Sequence, residues 1–297
     1  MAKPTHEFYM PSLYDSVRLS SRIYHPSEAD LQQPAIKGAI VAHPYASLGG
    51  SNDDPVVCST AAELVRKGYV VLTLNFRGAS DSGGQTSWTG KPELCDYISA
   101  YGFMLKYLQL LGPSKPVELI LGGYSYGSMM VYHQPKVEDI ASLFASPKIG
   151  SIASEILAKA RELVQGENKD QDNQQKDIES ELPLATISYL ILSPVLSLAS
   201  GFITLWSNLS RVTIQGTQLT TPAPEEQLPK HRTLIVYGTD DMFTSVKSFQ
   251  QWTSKLNNAP DSQVRSVEIP FAGHFWLEQN FHAQLRKTIS TWLDDAQ

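Results

Sequence analysis

Short apolar runs rich in branched residues recur along the chain and alternate with longer segments of helical period. This alternation constrains the fold more than any other feature. The apolar runs are residues 17–24, 39–42, 70–76, 117–121, 188–192, 233–237 and 266–269. Most of them are continuously apolar, as strands are when helices cover both faces of a parallel sheet. The pattern predicts an α/β fold with a mostly parallel central sheet flanked by helices.

Segments with helical period separate these runs, at 57–67, 93–111, 246–256 and 281–293. The first ends at Gly68, and the second ends at Gly112-Pro113, both of which are typical helix stops. Strands joined in this way form right-handed βαβ units. We therefore expect one domain, residues 1–297.

Residues 152–184 interrupt the alternation before the sixth strand of the fold, which is the run 188–192. The first part, 152–164, has helical period, whereas residues 165–177 carry no apolar side chain. The second part cannot bury enough surface to offset its ordering entropy, so we expect a solvated loop there. Two interpretations stay open for the insertion, a cap over a pocket and an insertion without function.

Composition limits the classes of partner. The formal net charge of −6 supplies no attractive field for nucleic acid. Two cysteines in 297 residues make neither a disulfide framework nor a metal cluster, and no apolar leader is visible at the N-terminus, so we expect a cytoplasmic protein. Residues 190–209 are apolar over nearly the length of a membrane span, but Pro194, Gly201, Asn208 and several serines favour a buried strand and a following segment instead.

The pentapeptide Gly123-Tyr-Ser-Tyr-Gly127 is the sharpest motif in the chain. An apolar run precedes it and a segment that can continue as a helix follows it, which is the strand–turn–helix setting of a nucleophile elbow. Such a turn exposes the Ser125 hydroxyl near a helix N-terminus, where free N–H groups favour a developing anion. We therefore predict Ser125 as a nucleophile.

A serine hydroxyl needs a base, and that base needs a carboxylate that orients it. His274 follows the last predicted strand, so its loop can reach the C-terminal edge of the sheet. Asp240 and Asp241 follow the strand 233–237; both satisfy the requirement and we favour Asp241. The chain order is then serine, aspartate, histidine.

Acyl transfer also requires donors for an oxyanion. We predict the backbone N–H of Tyr126, directly after the nucleophile, and that of Tyr45, in the loop after the strand 39–42. Pro44 has no N–H, so either Tyr45 or Ala46 must donate, and of these two we favour Tyr45. His43 is predicted to shape this loop.

Together these landmarks resemble the α/β-hydrolase superfamily, and more narrowly its branch of dienelactone-hydrolase-like proteins and small serine esterases. They are His43-Pro-Tyr with Gly49-Gly-Ser-Asn, Asn75-Phe-Arg-Gly78, Gly123-Tyr-Ser-Tyr-Gly127, Gly238-Thr-Asp-Asp241 and Gly273-His-Phe-Trp276. The resemblance implies no cofactor, no metal, and cleavage of carboxylic esters, thioesters or related acyl bonds. Two departures stand out: Pro44 replaces the usual glycine, and Ser125 stands where dienelactone hydrolases carry cysteine.

Three functions stay open at this point. The first is a hydrolase, the second is an acyltransferase or cyclase that uses the same acyl-enzyme, and the third is a non-catalytic binding scaffold. Aromatic residues near the predicted site loops indicate a small acyl substrate with apolar or aromatic character, although each could instead be core. They are Tyr45, Trp88, Tyr124, Tyr126, Phe243, Phe275 and Trp276.

Overall fold

A computed structural model describes residues 3–167, 182, 185–196 and 209–295 of the chain. Its core is an eight-stranded sheet with the strand order β1-β2-β4-β3-β5-β6-β9-β10. The strands are β1 His6–Pro11, β2 Arg18–Tyr24, β3 Ile36–Ala42, β4 Val70–Leu74, β5 Val117–Tyr124, β6 Thr186–Leu192, β9 Arg232–Asp240 and β10 Val264–Gly273. At one edge β1 pairs antiparallel with β2, and β2 pairs antiparallel with β4. The other pairings, which join β4, β3, β5, β6, β9 and β10 in this order, are all parallel. The predicted mostly parallel α/β sheet is confirmed.

Nine helices flank the sheet in the described part of the chain. They are α1 Glu28–Leu31, α2 Pro55–Arg66, α3 Lys91–Leu111, α4 Tyr126–Tyr132, α5 Val137–Phe144, α6 Ile152–Glu167, α7 Pro224–Gln227, α8 Val246–Asn257 and α9 Gln279–Asp294. The ends of α2, α3, α8 and α9 lie within three residues of the predicted bounds. A hairpin of β7 Arg211–Ile214 and β8 Thr217–Thr220 forms a separate two-stranded sheet.

Two apolar cores lie on opposite faces of the sheet, because successive side chains of a strand point to opposite sides. In β3, Ile40 packs in the core beneath α3, whereas Val41 packs in the core beneath α2 and α9. Both side chains are fully buried. This burial on both faces explains why the central strands are continuously apolar in sequence.

The described part of the predicted insertion is α6, which packs against α3 and β1. Most of the loop predicted at 165–177 lies outside the described residues, and the possible cap stays a prediction. Residues 197–208 of the long apolar stretch also lie outside them. In the described ranges, no helix combines the length and apolar character that a membrane crossing requires.

Parallel strands bring the loops that follow them to one edge of the sheet. The loops after β3, β5, β9 and β10 carry Tyr45, Ser125, Asp241 and His274 respectively. The sheet order places β3 beside β5, and β9 beside β10, with only β6 between the two pairs. The predicted site residues are therefore collected at the C-terminal edge of the sheet.

Candidate active site

Ser125 occupies a sharp turn between β5, which ends at Tyr124, and α4, which begins at Tyr126. Its backbone has φ 56° and ψ −115°, a strained conformation for a residue with a side chain. The turn is tight against its neighbours: a Cβ on Gly127 would lie 2.6 Å from the carbonyl oxygen of Ala42. Only glycine permits this approach of α4 to the end of β3.

Hydrogen bonds hold the elbow on the sheet. The Ser125 N–H donates to the Leu192 carbonyl at 2.8 Å. The Ser128 hydroxyl, one turn into α4, donates to the Gly123 carbonyl at 2.6 Å and accepts from the Leu192 N–H at 3.0 Å. Helix α4 is thereby tied to β5 and to β6, and the direction of the Ser125 side chain is set by rigid elements rather than by a loop alone.

The structure brings Ser125, His274 and Asp241 into one hydrogen-bonded chain. The His274 Nε2 atom lies 2.8 Å from Ser125 Oγ, and the His274 Nδ1 atom lies 2.6 Å from Asp241 Oδ2. A carboxylate only accepts, so Nδ1 carries the proton and Nε2 is free to accept from the serine hydroxyl. All three residues are buried, with 6%, 3% and 8% of their surfaces exposed. This is the arrangement that a serine nucleophile and its base require.

The structure also separates the two candidate aspartates. Asp241 Oδ1 accepts hydrogen bonds from the N–H groups of Phe243 and Thr244, at 2.8 and 3.0 Å. With Oδ2 on His274, both oxygens of Asp241 have defined partners. Asp240 is exposed and accepts from the Thr239 hydroxyl, away from His274. The geometry therefore selects Asp241 as the partner of the imidazole.

Neighbouring side chains fix the histidine loop. The Tyr124 hydroxyl, at the end of β5, donates to the His274 carbonyl at 2.6 Å. The ring of Phe243 packs edge-on against the imidazole, with the centroids 4.6 Å apart. Trp276 is fully buried, and its indole N–H donates to the Ser193 hydroxyl at 3.0 Å. The first and third contacts hold the backbone of this loop, and the Phe243 ring packs directly against the imidazole.

The two predicted oxyanion donors lie just beyond the ends of the neighbouring strands β3 and β5. Tyr126 is the first residue of α4, and Tyr45 precedes a short 3₁₀ turn in the loop after β3. Their rings pack at a centroid distance of 5.1 Å. Within the described part of the chain, neither backbone N–H donates a hydrogen bond. Their role as oxyanion donors stays a prediction.

His43 holds the loop after β3 in place, in agreement with its predicted role. Its Nδ1–H donates to the Pro44 carbonyl at 2.6 Å, and its Nε2 accepts from the Phe76 N–H at 2.8 Å. The ring is fully buried, and burial lowers the pKa of His43 to about 4. A neutral imidazole with two defined partners joins this loop to the end of β4.

A small cavity of about 80 Å³ opens beside the Ser125 hydroxyl. The residues that line it are Pro44, Tyr45, Leu48, Gly49, Gly50, Asp54, Ser125, Val195, Phe243, His274 and Phe275. Of the aromatic residues in the predicted pocket, Tyr45, Phe243 and Phe275 line this cavity. Tyr124, Tyr126 and Trp276 are instead buried in the core, and Trp88 is 69% exposed.

Asp54 lines the cavity and was not predicted as a site residue. It is the N-cap of α2, where its Oδ1 accepts from the N–H groups of Val56 and Val57. Burial raises the pKa of its carboxyl. The segment 49–54 follows the predicted oxyanion loop and can shape the mouth of a site, but the pattern Asp54-Pro55 by itself signals only a helix N-terminus.

No group of three or more histidine, cysteine, aspartate and glutamate side chains that could hold a metal occurs in the part of the chain described. Arg77, in the motif Asn75-Phe-Arg-Gly78, lies away from the cavity. Its guanidinium donates to both oxygens of buried Asp96 and to the carboxylate of Asp15. The motif therefore fixes the loop after β4 onto α3.

Comparison with known proteins gives matches over part of the chain. Residues 15–141 match the family described as X-Pro dipeptidyl-peptidase (S15 family), and this segment includes Ser125 but neither Asp241 nor His274. An uncharacterized protein of Schizosaccharomyces pombe is 27% identical over 154 residues, which are 48% of this chain and 64% of that protein. An uncharacterized protein of Rickettsia prowazekii is 32% identical over 118 residues, 38% of this chain and 46% of that protein. The chain thus matches only about half to two thirds of the length of these relatives.

Solved structures match along almost the whole chain. An α/β serine hydrolase without lid from Xanthomonas campestris has a TM-score of 0.56 and 17% identity, with 99% of this chain and 97% of that one covered. Est1E of Butyrivibrio proteoclasticus, solved with ferulic acid bound, has a TM-score of 0.58 and 14% identity, covering 97% and 98%. An esterase from Pyrococcus furiosus has a TM-score of 0.57 and 15% identity, covering 98% and 89%. Together with the strand order, these matches show that the chain has the α/β-hydrolase fold.

Proposed function

We propose that this protein is a serine hydrolase that cleaves a carboxylic ester or thioester through an acyl-enzyme on Ser125. The observation that carries the proposal is the hydrogen-bonded chain from Asp241 through His274 to Ser125, which ends at a cavity. Ser125 is buried in a strained turn, and its hydroxyl lies beside an imidazole nitrogen that can accept a proton. The stability of the fold does not require this arrangement, whereas a nucleophilic serine does.

In the first half-reaction, the Ser125 Oγ attacks the carbonyl carbon of the substrate while His274 Nε2 takes the hydroxyl proton. Asp241 keeps the Nδ1 proton in place and stabilises the imidazolium that forms. The tetrahedral intermediate collapses when the bond to the leaving alcohol or thiol breaks, and His274 returns the proton to that group. The acyl group then remains bound to Ser125.

In the second half-reaction, a water molecule takes the place of the leaving group. His274 Nε2 accepts a proton from the water, whose oxygen attacks the acyl carbon. Breaking the bond to Ser125 Oγ releases the carboxylic acid, and the proton returns from His274 to the serine. In both halves the N–H groups of Tyr126 and Tyr45 are proposed to stabilise the negative oxygen.

The size of the cavity favours a short acyl or alkyl group next to the scissile bond. A volume of about 80 Å³ holds only a few carbon atoms. Three aromatic rings among its lining residues favour an apolar or aromatic substrate. Est1E, with its bound ferulic acid, is a fold relative that accommodates an aromatic acid.

A peptidase is the second candidate, and the match of residues 15–141 to the S15 family is the observation that favours it. Transfer of the acyl group to a nucleophile other than water requires the same acyl-enzyme. A non-catalytic scaffold is the alternative to all of these. Activity assays with different substrates and acceptors separate the four.

The first experiment treats the purified protein with a fluorophosphonate probe, short p-nitrophenyl esters, a thioester and an X-Pro p-nitroanilide. The variants are Ser125→Ala, His274→Ala, Asp241→Asn and, as a matched control, Asp240→Asn. We expect Ser125→Ala to abolish labelling and to lower kcat by roughly 10⁴ or more, because the three residues act as a unit. Asp241→Asn should lower kcat by about 10³ to 10⁴, since the amide permits the wrong tautomer of His274.

The control discriminates between a general charge effect and the specific pair. Asp240 is exposed, and Asp240→Asn removes the same charge from the protein as Asp241→Asn does. Asp240→Asn should therefore keep nearly full activity. Equal losses in the two aspartate variants would contradict the assignment of Asp241. A wild-type protein that is neither labelled nor active on any of these substrates would leave the scaffold interpretation.

A further inference from the structure

The carboxylate of Asp54 gives the catalytic cavity a charge that the hydrolytic mechanism does not use. Its Oδ1 atom accepts two helix N–H groups, at 2.8 and 3.5 Å. In the described part of the chain, its Oδ2 atom accepts no hydrogen bond. Asp54 is partly buried and lines the same cavity as Ser125 and His274. A carboxylate with one oxygen free in a cleft is available to a substrate.

Three aromatic side chains also line the cavity, together with Pro44, Leu48, two glycines and Val195. Tyr45, Phe243 and Phe275 line it, and the rings of Phe243 and Phe275 meet edge to face with centroids 6.0 Å apart. No lysine or arginine is among the described residues that line the cavity, and Asp54 is the only carboxylate among them. A carboxylate and aromatic rings in the wall of one cavity are the groups that recognise an organic ammonium ion.

Long-range electrostatics act in the same direction. The chain has a formal net charge of −6, which favours the approach of cations over that of anions. Low-dielectric walls strengthen the attraction of a cation to a carboxylate relative to water. The free oxygen, the aromatic wall and the net charge are independent observations.

We infer that the catalytic cavity accepts acyl esters or thioesters that carry a positively charged ammonium group, and that Asp54 is the residue that selects for this charge. The inference rests on the proposed hydrolase function and specifies its substrate class. The ammonium group can belong to the leaving group or to the acyl group. Two pairs of probes distinguish these positions.

Each pair compares a cation with a neutral compound of the same shape. Acetylthiocholine and neohexyl thioacetate differ only in nitrogen or carbon at the branched centre of the leaving group. The ethyl ester of γ-butyrobetaine and its carbon isostere make the same comparison in the acyl group. The quantity measured is the ratio of kcat/KM for the charged and the neutral member of each pair.

The wild-type protein should favour the charged member of at least one pair by about tenfold or more. Coulomb's law at about 5 Å and an effective dielectric constant near 20 gives an upper limit on the order of a hundredfold. In Asp54→Asn this ratio should fall to about one. Asparagine is an equally good N-cap, so α2 keeps its first turn and only the charge is lost. Asp54→Ser also caps the helix and provides a second test of the same loss.

Asp53→Asn is the matched control. Asp53 is the adjacent residue, is exposed, and pairs with Arg22 outside the cavity. Its substitution changes the net charge by the same amount and should leave the ratio unchanged. A ratio that falls equally in both variants would refute a local role for Asp54.

Other outcomes distinguish a failure of the inference about Asp54 from a failure of the proposed hydrolase function. If Asp54→Asn lowers kcat/KM by the same factor for charged and neutral members, the carboxylate acts on His274 and the inference is wrong. Equal rates for both members with the wild-type protein would overturn the inference while the hydrolase function stands. If the fluorophosphonate probe does not label Ser125 and no ester is cleaved, it is the proposed function that has failed.

Discussion

Acid should destabilise this protein through His43, which holds the loop that carries Tyr45. Burial lowers the pKa of His43 to about 4, whereas an unfolded chain has a histidine pKa near 6.5. Between these values the unfolded chain binds more protons than the folded one, so the free energy of unfolding falls as the pH falls. In the folded protein, a proton on Nε2 would also remove the acceptor of the Phe76 N–H.

The size of the effect follows from the two pKa values. The contribution of the neutral His43 imidazole to the free energy of unfolding is fully present above about pH 6.5. It is lost progressively as the pH falls toward 4. Integration of the proton linkage gives a loss of about 2 kcal/mol between about pH 7.5 and about pH 5, and about 3 kcal/mol in the limit of low pH. This loss is a large part of the stability of an ordinary domain.

His43→Gln isolates the contribution, because glutamine places an amide oxygen near the position of Nε2 and does not titrate. Urea unfolding of both proteins at several pH values measures the free energy of unfolding. We expect the variant to be less stable at neutral pH but to lose about 2 kcal/mol less than the wild type on acidification. Parallel pH curves for the two proteins would refute the reasoning, since other groups titrate equally in both.

Three further predictions concern the framework around the site. Asp96→Asn should lower the free energy of unfolding by about 3 kcal/mol, because it leaves the buried Arg77 guanidinium without its main partner; a loss under about 1 kcal/mol in urea unfolding would contradict this. Gly127→Ala should lower both stability and probe labelling, since the new Cβ would lie 2.6 Å from the Ala42 carbonyl oxygen; normal labelling kinetics would show that the elbow tolerates a shift. Tyr126→Phe should be neutral or stabilising by up to about 1 kcal/mol, because the Tyr126 hydroxyl is buried without a hydrogen-bond partner among the described residues; a loss above about 1 kcal/mol in thermal unfolding would indicate a hidden partner.

Periodicity predicted seven of the eight strands of the central sheet, and it missed one edge strand and the short hairpin. The continuously apolar strands follow from burial on both faces of a parallel sheet, and five helices, α2, α3, α6, α8 and α9, follow from the helical period of their sequences. Strand β1 was not predicted, because only Phe8 and Met10 of its residues are buried and an edge strand needs no apolar run. The hairpin of β7 and β8 was also not predicted, because each of its strands is only four residues long.

The sequence by itself determined the α/β class, the position of the strained serine turn, and the order of serine, aspartate and histidine along the chain. These depend on local chemistry: branched apolar runs, glycines beside Ser125, and polar residues directly after strands. Tertiary structure alone decided between Asp240 and Asp241, because the side chains of two adjacent residues after a strand point in different directions. Only the fold shows which of them lies beside His274. It also decided that the N-cap Asp54 lines the same cavity as Ser125, since these residues are 71 positions apart in the chain and no local pattern records which distant residues the fold brings together.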